Sequence, residues 1–167
     1  QHGSVCEDYD AIDCAVYAVG GWTDGYTDAI FRLMENLKGP RRALVGPWTH
    51  VYPHFGFPGP AIGFLQDALR WWDRWLKQDN NGIDKEPMLN IWMQENFKAD
   101  ASDPTVEGDW FGLNNWPPTA QNMNTYWLAG DKLDMNPGKE IPIDIQSPTA
   151  SALNGGEWCP RDGGGLG

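Results

Sequence analysis

Two uncharged runs, one helix apart, constrain this chain more than anything else in it. Cys14-Ala15-Val16-Tyr17-Ala18-Val19 is bounded by Asp13 before it and Gly20-Gly21 after it. A run this apolar fits a strand covered on both faces, as in a parallel sheet. From Tyr26 to Leu37 the residues Ile30, Leu33, Met34 and Leu37 recur at intervals of three and four, which is one face of an amphipathic helix. Gly39-Pro40 ends that helix. Ala43-Leu44-Val45 is the second uncharged run, stopped by Gly46-Pro47. Strand, helix and strand in this order make a βαβ unit with parallel strands and a right-handed crossover.

Val51 to Pro60 holds Pro53, Pro58, Pro60, Gly56 and Gly59 and must be loop. A second helix is expected from Ala61 to Gln78, with the stripe Ile62, Leu65, Leu69, Trp72 and Leu76 as its buried face and Asp73 and Lys77 as an i, i+4 ion pair. Asn80-Asn81-Gly82 closes it as a turn. From Pro87 helical periodicity is lost. Short strand candidates, Met88 to Met93, Asn124 to Leu128 and Ile141 to Ile145, alternate with Pro, Gly, Asn and Asp clusters, as in an all-β sandwich. The expected organisation is an α/β domain over 1–82, a boundary near Asn81 to Glu86, and a truncated β domain over 87–167, since so few strands cannot close a sandwich.

Charge decides against some partners. A net charge of −11 argues against nucleic acid or an anionic membrane surface as a partner, since both need clustered Lys and Arg, and no apolar run approaches the roughly 20 residues of a membrane span. A homo-oligomer is allowed for. The chain opens on Gln1 without a signal-peptide pattern and closes on a glycine run, and it reads as a piece of a longer protein whose targeting segment would lie upstream. The compartment is therefore left open. Cys6, Cys14 and Cys159 match neither a zinc pair nor a disulfide framework and are expected as buried small hydrophobes. No His or Cys pair has metal-ligand spacing.

The chemistry sits after the two strands. In an open parallel sheet, working residues gather at the carboxyl ends of strands, so Asp24 and His50, though 26 residues apart, should emerge on one edge. An Asp that accepts the Nδ1 proton of a His sets its tautomer and makes the imidazole a general base. Each residue alone has a plainer reading: Asp24 as a cap of the helix starting near Tyr26, and His50 as a solvated loop histidine. Their placement at two strand ends favours the relay. His2 and His54 are read as bystanders. The nucleophile is missing: none of Ser4, Ser102, Ser147 and Ser151 lies in a GxSxG turn. Either there is no enzyme, or the serine precedes Gln1.

The stretches Asp13-Cys14-Ala15-Val16-Tyr17-Ala18-Val19-Gly20-Gly21-Trp22-Thr23-Asp24-Gly25-Tyr26 and Val45-Gly46-Pro47-Trp48-Thr49-His50 resemble the CocE/NonD hydrolases, the group that includes cocaine esterase, α-amino-acid ester hydrolases and X-Pro dipeptidyl-peptidases. The likeness continues through Trp71-Trp72-Asp73-Arg74-Trp75-Leu76 and Pro87-Met88-Leu89. Trp116-Pro117-Pro118 and Tyr126-Trp127-Leu128 look like the opening strands of the family's carboxy-terminal jelly-roll. The resemblance implies the carboxy-terminal part of an α/β-hydrolase domain followed by that jelly-roll. It further implies Asp24 as triad acid, His50 as triad base, Tyr26 lining the acyl pocket, and Trp22 and Trp48 supporting the catalytic loops. No metal or organic cofactor is implied. The serine and the oxyanion hole would precede this chain, so the fragment alone is expected to be inactive.

The first functional reading is therefore a serine hydrolase fragment acting on a small ester or an X-Pro dipeptide. Peptidase and esterase stay open: Glu7, Asp8 and Asp10 could hold a substrate's α-amino group, but nothing in the sequence puts them at the site. The alternative is a non-catalytic β-sandwich module that binds carbohydrate or peptide. Its rings would be Trp92, Trp110, Trp116, Trp127 and Trp158, which fit a sandwich core or domain interface equally well.

Overall fold

In the computed structural model the two uncharged runs are the strands β1 (Val16–Gly21) and β2 (Arg41–Gly46), joined by helix α1 (Thr27–Asn36). They pair in parallel, from Val16 opposite Arg41 to Gly21 opposite Gly46. The residues described are 5–95, 105–119, 121–129, 132–140, 142, 144 and 146–148. Among them, no helix is long and apolar enough to cross a membrane.

The β1 strand runs through Gly20 and Gly21 rather than stopping before them. It also begins two residues later than expected, which leaves Cys14 outside the packed sheet. Cys6 and Cys14 are both exposed, not buried; both precede the first strand and lie outside the core cluster. Cys159 lies outside the described residues.

Successive residues of a strand face opposite sides of the sheet, and β2 shows both sides occupied. Ala43 and Val45 join Ile30 and Met34 of α1 in one core cluster. On the other side, Arg42 reaches Asp67 and Glu86. Asp67 belongs to helix α2 (Phe64–Leu76), so the sheet carries a helix on each face.

The next strand departs from the sequence expectation. Met88 to Met93 is read there as opening the second domain, but β3 (Leu89–Gln94) pairs in parallel with β2, Ala43 opposite Leu89 and Val45 opposite Ile91. No break in the sheet falls at 81–86. The reason is burial: Leu89 and Ile91 alternate inward and complete the core cluster that Ile30, Met34, Ala43 and Val45 begin. The α2 crossover makes a second βαβ unit. Strand β4 (Gly108–Leu113) then returns antiparallel to β3, giving the order β1-β2-β3-β4. The glycines at 108 and 112 hide this strand from a propensity reading.

The described residues form two compact units, one extending through Thr119 and the other beginning beyond it. In the second, β5 (Trp127–Ala129) and β6 (Lys132–Asp134) form an antiparallel pair. The Ile141 to Ile145 candidate lies mostly outside the described residues.

Helix α2 forms almost where expected but turns a different face to the sheet. Leu65, Leu69, Trp72 and Leu76 are each more than half exposed, while Trp71 is buried. Tyr17 on β1 explains the rotation. Its ring packs at 5.5 Å on Trp71, its hydroxyl donates to Asp67, and the Arg42 guanidinium lies 5.5 Å from its ring centre. Charged Asp67 is drawn inward to meet Arg42, and the aliphatic stripe is left outward. Burial and the Asp67 bond together push the Tyr17 hydroxyl well above its ordinary pKa.

Arg42, with a side chain only 9% exposed, is further held by Glu86 at 2.8 Å, and Glu86 also accepts from Arg70. Burial pushes the Glu86 carboxyl up, but the bonds from Arg70 and Arg42 outweigh it and hold it below the ordinary value. A carboxylate so depressed stabilises the fold fully above its unfolded pKa, and that contribution is lost as pH falls through the folded value. Glu86→Gln is expected to cost about 1.5–3 kcal/mol at neutral pH, the range for a hydrogen bond to a charged group. Urea unfolding of both proteins across pH checks this, the difference shrinking below the carboxylate range. A difference independent of pH would refute the ionic contribution.

Candidate active site

Beyond the last paired residues, Gly21 and Gly46, the chains after β1 and β2 stay in register. Trp22 N–H donates to the Gly46 carbonyl at 2.8 Å, and Thr23 N–H to the Trp48 carbonyl at 3.2 Å. The Thr23 hydroxyl adds a bond to the Pro47 carbonyl at 3.3 Å. This seam requires close approach: a Cβ on Gly21 would lie 1.8 Å from the Trp48 carbonyl oxygen. Glycine therefore stands at 21 for its absent side chain.

The segment leading to His50 is anchored from below. Pro47 and Trp48 are fully buried, and Trp48 Nε1–H donates to the Pro60 carbonyl at 2.8 Å. Buried Thr49 spends its backbone N–H and its hydroxyl on the Phe57 carbonyl, at 2.7 and 3.0 Å. His50 is the first residue to emerge.

Asp24 and His50 meet on this edge. His50 Nδ1 lies 2.9 Å from Asp24 Oδ2, with the His50 side chain 63% exposed and that of Asp24 10%. A carboxylate accepts only, so Nδ1 carries the proton and Nε2 is left as the acceptor. The other carboxylate oxygen, Oδ1, accepts from Tyr26 N–H at 2.9 Å. Asp24 is not the cap of α1, whose N-cap is Tyr26 with no side-chain cap bond; one of its oxygens instead closes the turn ahead of the helix and the other holds the imidazole. Tyr26, 73% exposed, stands edge-on to His50 with ring centres 5.8 Å apart. Such an arrangement can take a proton at Nε2 and stabilise the resulting imidazolium.

Trp22, two residues ahead of Asp24, is held by contacts of its own. Its Nε1–H donates to the Trp92 carbonyl on β3 at 2.7 Å and its ring stacks on Phe31 at 5.8 Å. The loop carrying the acid is therefore tied to the strand that sequence reading gave to another domain.

A family model, X-Pro dipeptidyl-peptidase (S15 family), matches residues 1–52, a stretch that contains both Asp24 and His50. In fold the chain is similar to a CocE/NonD family hydrolase from Staphylococcus aureus, with a TM-score of 0.57 at 14% identity over 77% of this chain. Both names fall within the group that the sequence resembles. The chain spans 22% of that hydrolase's length. No curated protein matches it in sequence.

Other candidates fall away from this edge. Glu7, Asp8 and Asp10 precede β1, at the amino ends of the parallel strands, whereas His50 follows the carboxyl end of β2. Asp10 is paired with Lys38 at 2.7 Å and Asp8 accepts from Ala11 N–H. A cavity of about 480 Å³ also sits at the amino end, lined by Arg41, Arg42, Trp71, Trp75 and Glu86, and does not include His50. His54 stacks among Tyr52, Phe55 and Phe64. Among the described residues no group of three or more His, Cys, Asp or Glu could hold a metal ion.

The rings of the alternative binding reading are largely spent on packing. Trp92 and Trp110 meet edge-on at 5.3 Å, Trp110 also contacts Trp48, and Trp116 lies 4.9 Å from Phe31. Trp127 is half exposed, and Trp158 lies outside the described residues. Sequence reasoning passed over Thr23 and Thr27, whose hydroxyls brace the acid loop; threonines between a strand and a helix were the available signal.

Proposed function

We propose that this chain supplies the acid and base of a serine hydrolase acting on an acyl ester or an X-Pro dipeptide bond. The observation that carries the reading is the contact between His50 Nδ1 and a mostly buried Asp24 carboxylate, with the imidazole's far side open. The nucleophilic serine and the oxyanion donors belong to a segment upstream of Gln1, and the residues beyond the four-stranded sheet begin a jelly-roll.

In the first half-reaction the serine Oγ bonds to the acyl carbon while His50 Nε2 takes its proton. The tetrahedral intermediate collapses, the bond to the leaving alkoxide or amine breaks, and Nε2–H protonates that group. Water, deprotonated by His50 in turn, then releases the acid and regenerates the serine. Asp24 keeps Nδ1 protonated throughout, so Nε2 always faces the reacting oxygen. Tyr26 contributes an exposed ring wall beside the imidazole.

An aryl ester and Gly-Pro-nitroanilide assayed side by side on the serine-bearing protein test this reading and its substrate class. Turnover of either, together with covalent labelling by a fluorophosphonate, supports it. Absence of both turnover and labelling overturns it, and the ratio of the two rates assigns esterase or peptidase.

A further inference from the structure

The backbone bonds of Asp24 run within the short loop from Gly21 to Thr27. The Asp24 N–H donates to the Gly21 carbonyl at 3.1 Å, and the return bond from Thr27 N–H to the Asp24 carbonyl is long, at 3.4 Å. What closes the loop more tightly is a side chain. Thr27 Oγ1 lies 2.7 Å from the Asp24 carbonyl and is also bonded to the Gly21 carbonyl. A hydroxyl has one proton to give, so the two carbonyls share it in a three-centre bond. That bond ties the last residue of β1 and the acid's own peptide to the first residue of α1.

We propose that Thr27 is a positioning residue for the Asp24–His50 pair, which it serves by fixing the Asp24 backbone so that Oδ2 meets Nδ1. Its catalytic importance rests on the serine hydrolase reading; its structural claim does not. The physical argument concerns tolerance. Among the described residues the Asp24 carboxylate makes two short bonds, one to Tyr26 N–H and one to His50. A peptide free to tilt by an ångström would keep the local Tyr26 bond, which moves with it, and lose the one to His50, whose segment is held from the far side by the bonds of Trp48 to Pro60 and of Thr49 to Phe57. Misplacement on this scale costs about 100-fold in rate in well-oriented sites.

Thr27→Val preserves shape and removes the donor; Thr27→Ser restores the donor on a smaller side chain. In the 167-residue chain, nitrogen–proton NMR of the His50 ring at alkaline pH reads the tautomer directly, because an imidazole without a partner on Nδ1 protonates mainly on Nε2. The wild type and Thr27→Ser are expected to show Nδ1–H at His50, and Thr27→Val a large Nε2–H fraction, with circular dichroism unchanged in all three. An unaltered Nδ1–H tautomer in Thr27→Val overturns the proposal. In the serine-bearing protein, kcat should fall about 100-fold in Thr27→Val with KM preserved and recover in Thr27→Ser. If the tautomer shifts while turnover stays constant, Thr27 still positions the pair, and the relay role of Asp24 and His50 is what fails.

Discussion

Asp24→Asn in the serine-bearing protein is expected to lower kcat by about 10,000-fold at neutral pH, the scale on which losing the acid of such a relay acts. The loss is chemical rather than steric. An asparagine keeps the shape of the side chain and its Tyr26 bond through the remaining oxygen. At the other position it can present an amide N–H to His50 Nδ1, which then must act as acceptor. The imidazole proton moves to Nε2, and the nitrogen that faces the reacting oxygen can no longer take a proton. His50→Ala removes the base altogether and should cost at least as much, the two losses being far from additive because the residues act as a unit. KM should change little, since neither residue binds the ground state strongly. Steady-state kinetics on whichever substrate the protein turns over are sufficient to check this. Wild-type turnover in either variant with its fold intact would end the hydrolase reading.

Gly21→Ala carries the largest expected loss of stability. A methyl at this position would lie 1.8 Å from the Trp48 carbonyl oxygen and 2.5 Å from its carbon. Both are backbone atoms in the most deeply buried stretch of the chain, so no side chain can swing aside. The strands must separate locally, breaking the bonds from Trp22 N–H to Gly46 and from Thr23 N–H to Trp48. Overpacking usually costs about 1–3 kcal/mol, and contact with rigid backbone sets this case at or above the upper end. Because the same seam brings the acid loop beside His50, the 2.9 Å contact should open as well. Gly39→Ala is the matched control, as its methyl would meet nothing closer than 3.4 Å. Urea midpoints falling equally for both variants would show that the close approach is not what glycine provides at 21.

Both predictions rest on a part of the molecule that its sequence describes well. The uncharged runs at 14–19 and 43–45 and the apolar spacing between them are local patterns, and a βαβ unit is nearly the only structure that satisfies them. Once the strands are parallel, Asp24 and His50 must leave on the same edge. Periodicity was a poorer guide for α2. Its most regular apolar stripe, Leu65, Leu69, Trp72 and Leu76, faces outward. The packed side is set by partners on other strands, Tyr17 and Arg42, whose demand for Asp67 no window of helix sequence displays. The boundary near 81–86 misled for a similar reason. Pro and Asn clusters mark a turn equally well within a sheet and between domains, and only the core that receives Leu89 and Ile91 distinguishes the two.

The sequence by itself determined the parallel unit and the edge on which Asp24 and His50 meet, because strand and helix periods and the ends of strands are properties of neighbouring residues. The tertiary structure alone decided which face of α2 packs, that β3 extends the parallel sheet, and that the Trp92 carbonyl and Thr27 brace the loop that carries Asp24. Those outcomes depend on which groups from distant segments share a buried space, where an unpaired charge or carbonyl costs more than any local preference can offset.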